Sequence, residues 1–316
     1  MNGEYCLIVA AGTIDNYTTH REMLAQLPQP SCIYSADGGL RHLAPLGLTP
    51  DLLLGDFDSI DSELFKSHKL RGVKIERYPP DKDFTDTELA VARATVDGYK
   101  HILIFGAFGA RIDHTYANIQ LMYKYALIGI NIVLADSYGM MRIIVSGSEL
   151  EVSADKPLQS LLGLYDYMCY KQLNILCNEK NSAHSPDAPA PIPDLISTHT
   201  GATAPATVPT PTTTAPTTTP ADQPTPAPSS TSFPTPSSSA ILAPSPARIP
   251  TFANLKLSLL PIGGPVSGIT ASGVKYAFTN TDLDASYTSG VSNEFTERAA
   301  KIKITEGALL VMICSD

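Results

Sequence analysis

Tryptophan is absent from the 316-residue sequence, so any broad aromatic surface has to come from its 14 tyrosines and 9 phenylalanines. Cysteine is scarce: Cys6, Cys32, Cys169, Cys177 and Cys314 are odd in number, and none stands in a C-x-x-C pair. That pattern indicates neither a zinc ribbon nor a disulfide framework and fits a reducing cytoplasm. Basic runs are missing as well. With a formal net charge of −9 and no clustered Lys and Arg, nucleic acid is not an expected partner, because contacts along a phosphate backbone require concentrated cations. An anionic ligand then has to be held locally, by a metal and a few cations. Long apolar runs are also lacking. The run from Tyr5 to Ala11 is too short for a signal sequence or a membrane span, and Met1 to Glu4 carry an acid but no basic leader. The expectation is a soluble, cytoplasmic protein with no membrane partner.

What is present is enough apolar residue, 43% of the chain, for two domains with a core each. Tyr5 to Ala11 reads as a strand covered on both faces. Ser31 to Ala36, Leu52 to Leu54, Val73 to Tyr78, His101 to Phe105 and Ile130 to Ala135 read as further strands. Helices are expected between them: from the capping-box spacing Thr19–Glu22 to about Leu27, over Leu40 to Leu46, from near Ser59 or Asp61, from the capping box Thr85–Glu88 to Gly98, and from about Asp113 to Leu127. Strands alternating with helices at short loop lengths give βαβ crossovers. Residues 1–136 are therefore expected to form an α/β domain, a parallel, Rossmann-like sheet with helices on both faces.

Past Asp136 the pattern becomes all-β. Arg142 to Val145, Glu149 to Val152, Lys256 to Leu260, Val274 to Phe278, Lys301 to Thr305 and Leu309 to Ile313 are short and β-branched or alternating, and Glu306-Gly307 has the look of a hairpin turn. Residues 137–152 and 255–316 are expected to form an antiparallel sandwich, interrupted by an insertion over 153–254. Within it, Leu158 to Leu176 is apolar enough to order, as a helix. From Pro186 to Pro250 the chain is Pro, Thr, Ser and Ala, with 17 of the 26 prolines, and lacks the side chains for a core. Disorder with polyproline character is the expectation there. A sandwich tolerates such an insert because loop-closure entropy grows only logarithmically with length.

Three stretches carry candidate chemistry. Gly55-Asp56-Phe57-Asp58-Ser59 follows the apolar run Leu52–Leu54. In an extended segment Asp56 and Asp58 would share one side, with Phe57 opposite, and could hold one hard cation through oxygen. Without a cation they would repel and one pKa would rise. The competing role is local: Asp58 caps the next helix and Asp56 makes a turn. Asp81-Lys82-Asp83-Phe84-Thr85-Asp86 adds a second acidic cluster, in which Lys82 either reaches a phosphate or is a solvated surface lysine. Gly106-Ala107-Phe108-Gly109-Ala110-Arg111-Ile112-Asp113-His114 adds the third. There the planar guanidinium of Arg111 suits phosphate oxygens, with a surface ion pair as its other role. Asp113 can equally cap the following helix and His114 sit in its first turn, and Asp37, before two glycines, can be a turn residue.

In order and spacing, Asp37-Gly38-Gly39, Pro50-Asp51 with Gly55-Asp56-Phe57-Asp58-Ser59, Asp83-x-Thr85-Asp86, Gly106-x-x-Gly109-x-Arg111-x-Asp113-His114 with Asn118, and Gly290-Val291-Ser292-Asn293-Glu294 resemble the thiamine pyrophosphokinase family. The resemblance covers roughly 1–152 and 255–316. It implies transfer of pyrophosphate from ATP to the hydroxyl of thiamine, releasing AMP, with Mg²⁺ on Asp56, Asp58 and Asp86. Asp56, Asp58, Asp86 and Arg111 would be catalytic. Asp37, Gly38, Lys82, Asp83, Thr85, Arg111, Asp113, His114 and Asn118 would contact ATP or its metal. It also implies a homodimer with active sites between the α/β part of one subunit and the sandwich of the other, where Tyr276, Ser292 and Asn293 would meet thiamine. Two departures stand out: Tyr276 occupies the usual place of a tryptophan, and Ala110 that of a second glycine. Tyrosine still stacks on a cationic ring, with a weaker face. Two rivals share these residues. Against a pyrophosphokinase acting on a hydroxymethyl pterin stands the late serine turn, and against a non-catalytic thiamine or nucleotide sensor stands the complete carboxylate set with Arg111.

Overall fold

A computed structural model describes residues 5–57, 72–79, 81, 83–109, 111–164, 254–286 and 288–315. The expected helix near Ser59, the remainder of Leu158 to Leu176 and the Pro/Thr/Ser-rich stretch lie outside the described residues. So do Asp58, Lys82 and Ala110.

Six strands of the N-terminal part run parallel: β1 (Cys6–Val9), β2 (Cys32–Ala36), β3 (Leu52–Gly55), β4 (Lys74–Arg77), β5 (His101–Phe105) and β6 (Asn131–Ala135). Their order is β6-β5-β1-β2-β3-β4, so the chain reverses direction across the sheet between β1 and β5. Helices α1 (Tyr17–Ala25), α2 (Leu40–Leu46), α3 (Asp86–Val96) and α4 (Ile112–Ala126) connect them. Each buried strand feeds two cores because successive side chains alternate. Leu7, Val9, Leu53, Leu103 and Phe105 pack with Leu40, Leu43 and Leu46 of α2 on one face. Ile8, Leu52, Leu54, Ile102 and Ile104 pack with Ala90, Val91 and Ala94 of α3 and Leu121 and Met122 of α4 on the other. Burying each such Leu or Ile fully contributes roughly 1.5–3 kcal/mol before the entropy of ordering is subtracted.

The sheet does not end at β6. It continues antiparallel through β7 (Gly139–Val145), paired Leu134↔Met141, then β14 (Ala308–Ser315), β9 (Leu255–Pro261) and β12 (Asn293–Glu294), making ten strands. A second sheet of four has the order β11 (Phe278–Leu283), β10 (Val266–Ser272), β13 (Ala299–Lys303), β8 (Glu149–Ser153). Val266, Ile269, Ile302 and Val152 from the small sheet share one core with Leu257, Leu259, Val311 and Ile313 from the large one. A short helix, α5 (Pro157–Leu162), adds Leu158, Leu161 and Leu162 to that core. The molecule is thus a mixed sheet with helices followed by a β-rich C-terminal part.

Five local expectations change. Helix α1 is capped by Asn16, whose Oδ1 accepts from Thr19 N at 3.1 Å, three residues before the capping-box threonine. Phe57 sits at φ 61°, in the left-handed region, so the extended alternation expected of Asp56–Asp58 is broken at its middle residue. A bulky residue there is strained by about 1–3 kcal/mol; the ring packs on the core and lies 5.6 Å from the guanidinium carbon of Arg77. The strand expected over Val274 to Phe278 reduces to a single bridge, Val274↔Phe295, and regular pairing begins only at Phe278. Strand β10 was not expected, because Gly268 and three small polar residues resemble a turn. Gly268 lies at φ 68° where the β10–β11 register shifts, a bulge that keeps the strand going. Finally, Glu306-Gly307 does not close a hairpin: β13 belongs to the small sheet and β14 to the large one, so the turn crosses between layers.

Candidate active site

Four loops at the carboxyl ends of parallel strands meet near the reversal between β1 and β5, the place where open α/β sheets bind ligands. Backbone touches backbone there, and glycine makes it possible. A Cβ on Gly12, after β1, would lie 2.1 Å from Phe108 O and 2.3 Å from Gly106 O in the loop after β5. A Cβ on Gly39, after β2, would lie 2.0 Å from Val9 O, and one on Gly55, ending β3, 3.0 Å from the Cβ of Asp37. Hydrogen bonds lock the same contacts: Gly12 N donates to Gly106 O at 2.8 Å and Thr13 N to Phe108 O at 2.7 Å.

This rim gathers several of the sequence-predicted residues. Asp37, at φ 42°, stands in the turn after β2 against Gly55, so Asp37 and Asp56 belong to touching loops. Gly38 is packed 3.1 Å from Ala11 Cβ in the β1 loop, measured from its own would-be Cβ. Asp86 is the first residue of α3, one position past the N-cap Thr85, whose Oγ1 accepts from Glu88 N at 3.1 Å. The reciprocal half of that capping box is absent, since Glu88 instead accepts from Lys124 Nζ at 2.8 Å. Asp83 is exposed just before it. Among the described residues no group of three His, Cys, Asp or Glu side chains is placed to hold one metal, and Asp58 is not among them.

Arg111, Asp113 and His114 project from the start of α4. Arg111 donates from Nε to Asp113 Oδ1 at 3.1 Å and from Nη2 to Oδ2 at 2.5 Å, a bidentate pair in solvent with side chains 70% and 65% exposed. That guanidinium, helped by the His114 backbone N–H, pulls the Asp113 carboxyl down to about 2. A screened surface pair of this exposure contributes little to stability, so little is lost when it opens. Asn118 is buried, and its Nδ2 donates to Ala107 O at 2.7 Å, so it holds the β5 loop from the helix side.

The β-rich part carries the second cluster. Asn293 is buried on edge strand β12; its Oδ1 accepts from Tyr276 N at 2.9 Å and its Nδ2 donates to Tyr276 O at 2.7 Å. The Tyr276 ring is 64% exposed, with Lys275 Nζ 5.5 Å from its centroid. Lys275 and Lys256 both reach Glu294, at 3.1 and 3.3 Å. Ser292, at φ 59°, exposes its side chain while its backbone N–H donates to Ser258 Oγ at 3.0 Å. A Cβ on Gly290 would sit 2.0 Å from Leu259 O, which fixes this turn against β9. Sequence reasoning missed Arg41, whose Nη2 donates to Ala11 O, and His42, behind the β1 loop. Gly12 at the end of an apolar run was the signal available for that loop. A cavity of about 1110 Å³ beside α1, lined by Asp15, Glu22, Asp136, Asp155 and Tyr138 among others, contains none of the predicted site residues.

Fold and rim together define an α/β protein whose loops meet at the carboxyl ends of its parallel strands, with an exposed tyrosine, Tyr276, on a β-rich part. Two family models match, "Thiamin pyrophosphokinase, catalytic domain" over residues 25–134 and "Thiamin pyrophosphokinase, vitamin B1 binding domain" over 251–309, together more than half of the chain. The chain belongs to the thiamine pyrophosphokinase family. It is 33% identical over 120 residues to the thiamine pyrophosphokinase of Bacillus subtilis (strain 168), covering 38% of this chain and 56% of that one. It is 33% identical over 93 residues to thiamine pyrophosphokinase 1 of Oryza sativa subsp. japonica, covering 28% and 35%. The aligned stretches thus span about half or less of these curated relatives. The fold is that of the crystal structure of the B. subtilis thiamine pyrophosphokinase, with a TM-score of 0.61 at 16% identity over 99% of both chains. Yeast thiamin pyrophosphokinase gives 0.55 at 12% identity over 99% of this chain and 86% of that one.

Proposed function

We propose that this chain is a thiamine pyrophosphokinase, transferring pyrophosphate from ATP to thiamine to give thiamine diphosphate and AMP. The observation that carries the reading is the rim at which the loops after β1, β2, β3 and β5 touch, bringing Asp37 and Asp56 into adjoining loops. In the transfer the thiamine hydroxyl oxygen bonds the β-phosphorus while the α–β bridge breaks and AMP leaves. Little covalent work falls to the protein, so positioning and electrostatics dominate. Carboxylate oxygens are the donors that a hard cation takes, and Asp56, Asp58 and Asp86 are the residues that would hold Mg²⁺. When bound, the ion neutralises charge on the phosphates. Arg111 would leave Asp113 for the phosphate oxygens, His114 and Asn118 would border the nucleotide with it, and the Asn118 bond to Ala107 would keep the β5 loop in place. Asp37, Gly38, Lys82, Asp83 and Thr85 border the nucleotide.

Tyr276, steadied by Asn293, would stack on thiamine, and Ser292 would offer its hydroxyl. The division into a Rossmann-like 1–136, a β-sandwich of 137–152 with 255–316 and an insertion between them belongs to the same reading. So does a homodimer, supported by exposed apolar side chains at both clusters: Ile112 and Tyr116 beside Arg111, Tyr276 and Val291 beside Ser292. A cytoplasmic setting is supported by Cys6, Cys32 and Cys314 being free thiols, and no described helix is long and apolar enough to cross a membrane. AMP release on mixing protein, ATP and thiamine, abolished by chelating magnesium, is the expected result. Release that needs a pterin alcohol instead, or none with either acceptor, would overturn the assignment.

A further inference from the structure

We infer that His42 is a positioning residue for the nucleotide loops, acting through the carbonyl of Gly12. The inference rests on the proposed function for its kinetic consequence and on hydrogen-bond geometry for the rest. His42 lies on α2, 4% exposed, with each ring nitrogen engaged: Nε2 stands 2.8 Å from Gly12 O and Nδ1 2.8 Å from the hydroxyl of Tyr17 on α1. A carbonyl only accepts, so Nε2 carries the proton and Nδ1 receives that of Tyr17. Arg41 Nε, 3.3 Å from the same Nε2, then faces another donor and makes no bond to it. The tautomer is set from both sides. Burial also favours the neutral ring, lowering the His42 pKa, with the Arg41 and His20 charges acting in the same direction and the Gly12 contact opposing them.

Gly12 is the hinge of this arrangement. Its carbonyl is held by His42, with Arg41 Nη2 at 3.3 Å from the same oxygen, while its own N–H and that of Thr13 hold the β5 loop at Gly106 and Phe108. Asn118 holds the same loop at Ala107 from α4. The turn leading to Arg111 is therefore clamped between α4 and a strap anchored on the Tyr17–His42 pair. Releasing the imidazole frees the strap's carbonyl side and, through it, the turn. None of the atoms of His42 needs to touch a ligand for this to act.

The test is amide hydrogen exchange combined with steady-state kinetics on the full chain. In His42→Ala, exchange at Gly12 and Thr13 is expected to speed at least tenfold while Leu7 and Ile8 in β1 stay as slow as in the wild type. KM for ATP should rise at least fivefold and KM for thiamine change less than twofold. His42→Gln, whose Nε2 can still donate to Gly12 O, should recover most of both effects, and Tyr17→Phe should show the same pattern at two- to threefold. Unchanged exchange at Gly12 and Thr13 in His42→Ala, or a Gln variant no better than Ala, overturns the inference. Should the Ala variant not fold, Gln against Tyr17→Phe decides: normal exchange in the latter overturns it. Exchange reads the strap even if the wild type releases no AMP, so failure of the functional reading is separable from failure of this one.

Discussion

The strand-end rim and the Tyr276 turn both rest on backbone contacts, and they differ in what is added to them. At the rim, Gly12 and Gly39 bring main chain against main-chain carbonyls and Gly55 packs against Asp37, so the loops touch with no space for a further side chain. At the turn, a buried side chain is added to the backbone contacts of Lys275 and Gly290, since Asn293 makes both hydrogen bonds to the Tyr276 backbone. A frame of backbone keeps charged groups at set positions while leaving them replaceable. A turn braced by one buried amide ties the placing of Tyr276 to that amide's identity.

That contrast can be broken at several points. Asp56→Asn should lower AMP release by roughly 10²–10³-fold, the scale of removing one electrostatic partner from a transition state. Its melting temperature should stay within a degree or two of wild type; a large loss of stability would show that the carboxylate is part of the frame. Gly12→Ala should do the reverse, because its methyl group would overlap two carbonyl oxygens. A loss of about 1–3 kcal/mol, read from urea unfolding, is expected from such overpacking. A normal midpoint would mean the β1 and β5 loops separate easily. Asn293→Ala leaves Tyr276 N–H and C=O without their partner and should cost about 1–3 kcal/mol. It should raise KM for thiamine and leave KM for ATP alone, and equal changes in both would merge the two clusters into one.

The smallest effect is in pH. Burial lowers the pKa of both His42 and His101 from the usual 6.5, so the unfolded chain binds more protons than the folded one once pH falls below that value. Their contribution to stability is complete above pH 6.5 and declines as pH falls towards the folded-state pKa values. Melting temperature should therefore drop by a few degrees between pH 7.5 and 5.5, with a shallower slope in His42→Gln. A flat profile would place both rings in water.

Much of the framework could be read from residue order. His101–Phe105 was legible to the residue because a short apolar run between turns has one reading when both faces are covered. Thr85 was legible as a cap from its spacing to Glu88. Less legible was the β-rich part. Gly268 and its small polar neighbours left β10 unassigned, and whether Glu306-Gly307 joins neighbours in one sheet or crosses between two depends on partners distant in sequence. The Arg111–Asp113 pair was visible as a possibility, and its choice over a cap was not, since both need only a carboxylate in the first helical turn.

By itself, the order of residues determined that this chain would alternate strand and helix, place its acidic and glycine-bearing stretches at strand ends, and turn to β structure after Asp136. These are local consequences of periodicity and turn chemistry, decided within a dozen residues. Only the tertiary structure decided that the large sheet runs unbroken from β4 to β12, that Phe57 leaves the extended conformation, and that His42 holds the β1 loop and Asn118 the β5 loop it touches. Each of those follows from contacts between segments remote in sequence, where the nearest backbone or buried polar group, rather than local preference, sets the lowest energy.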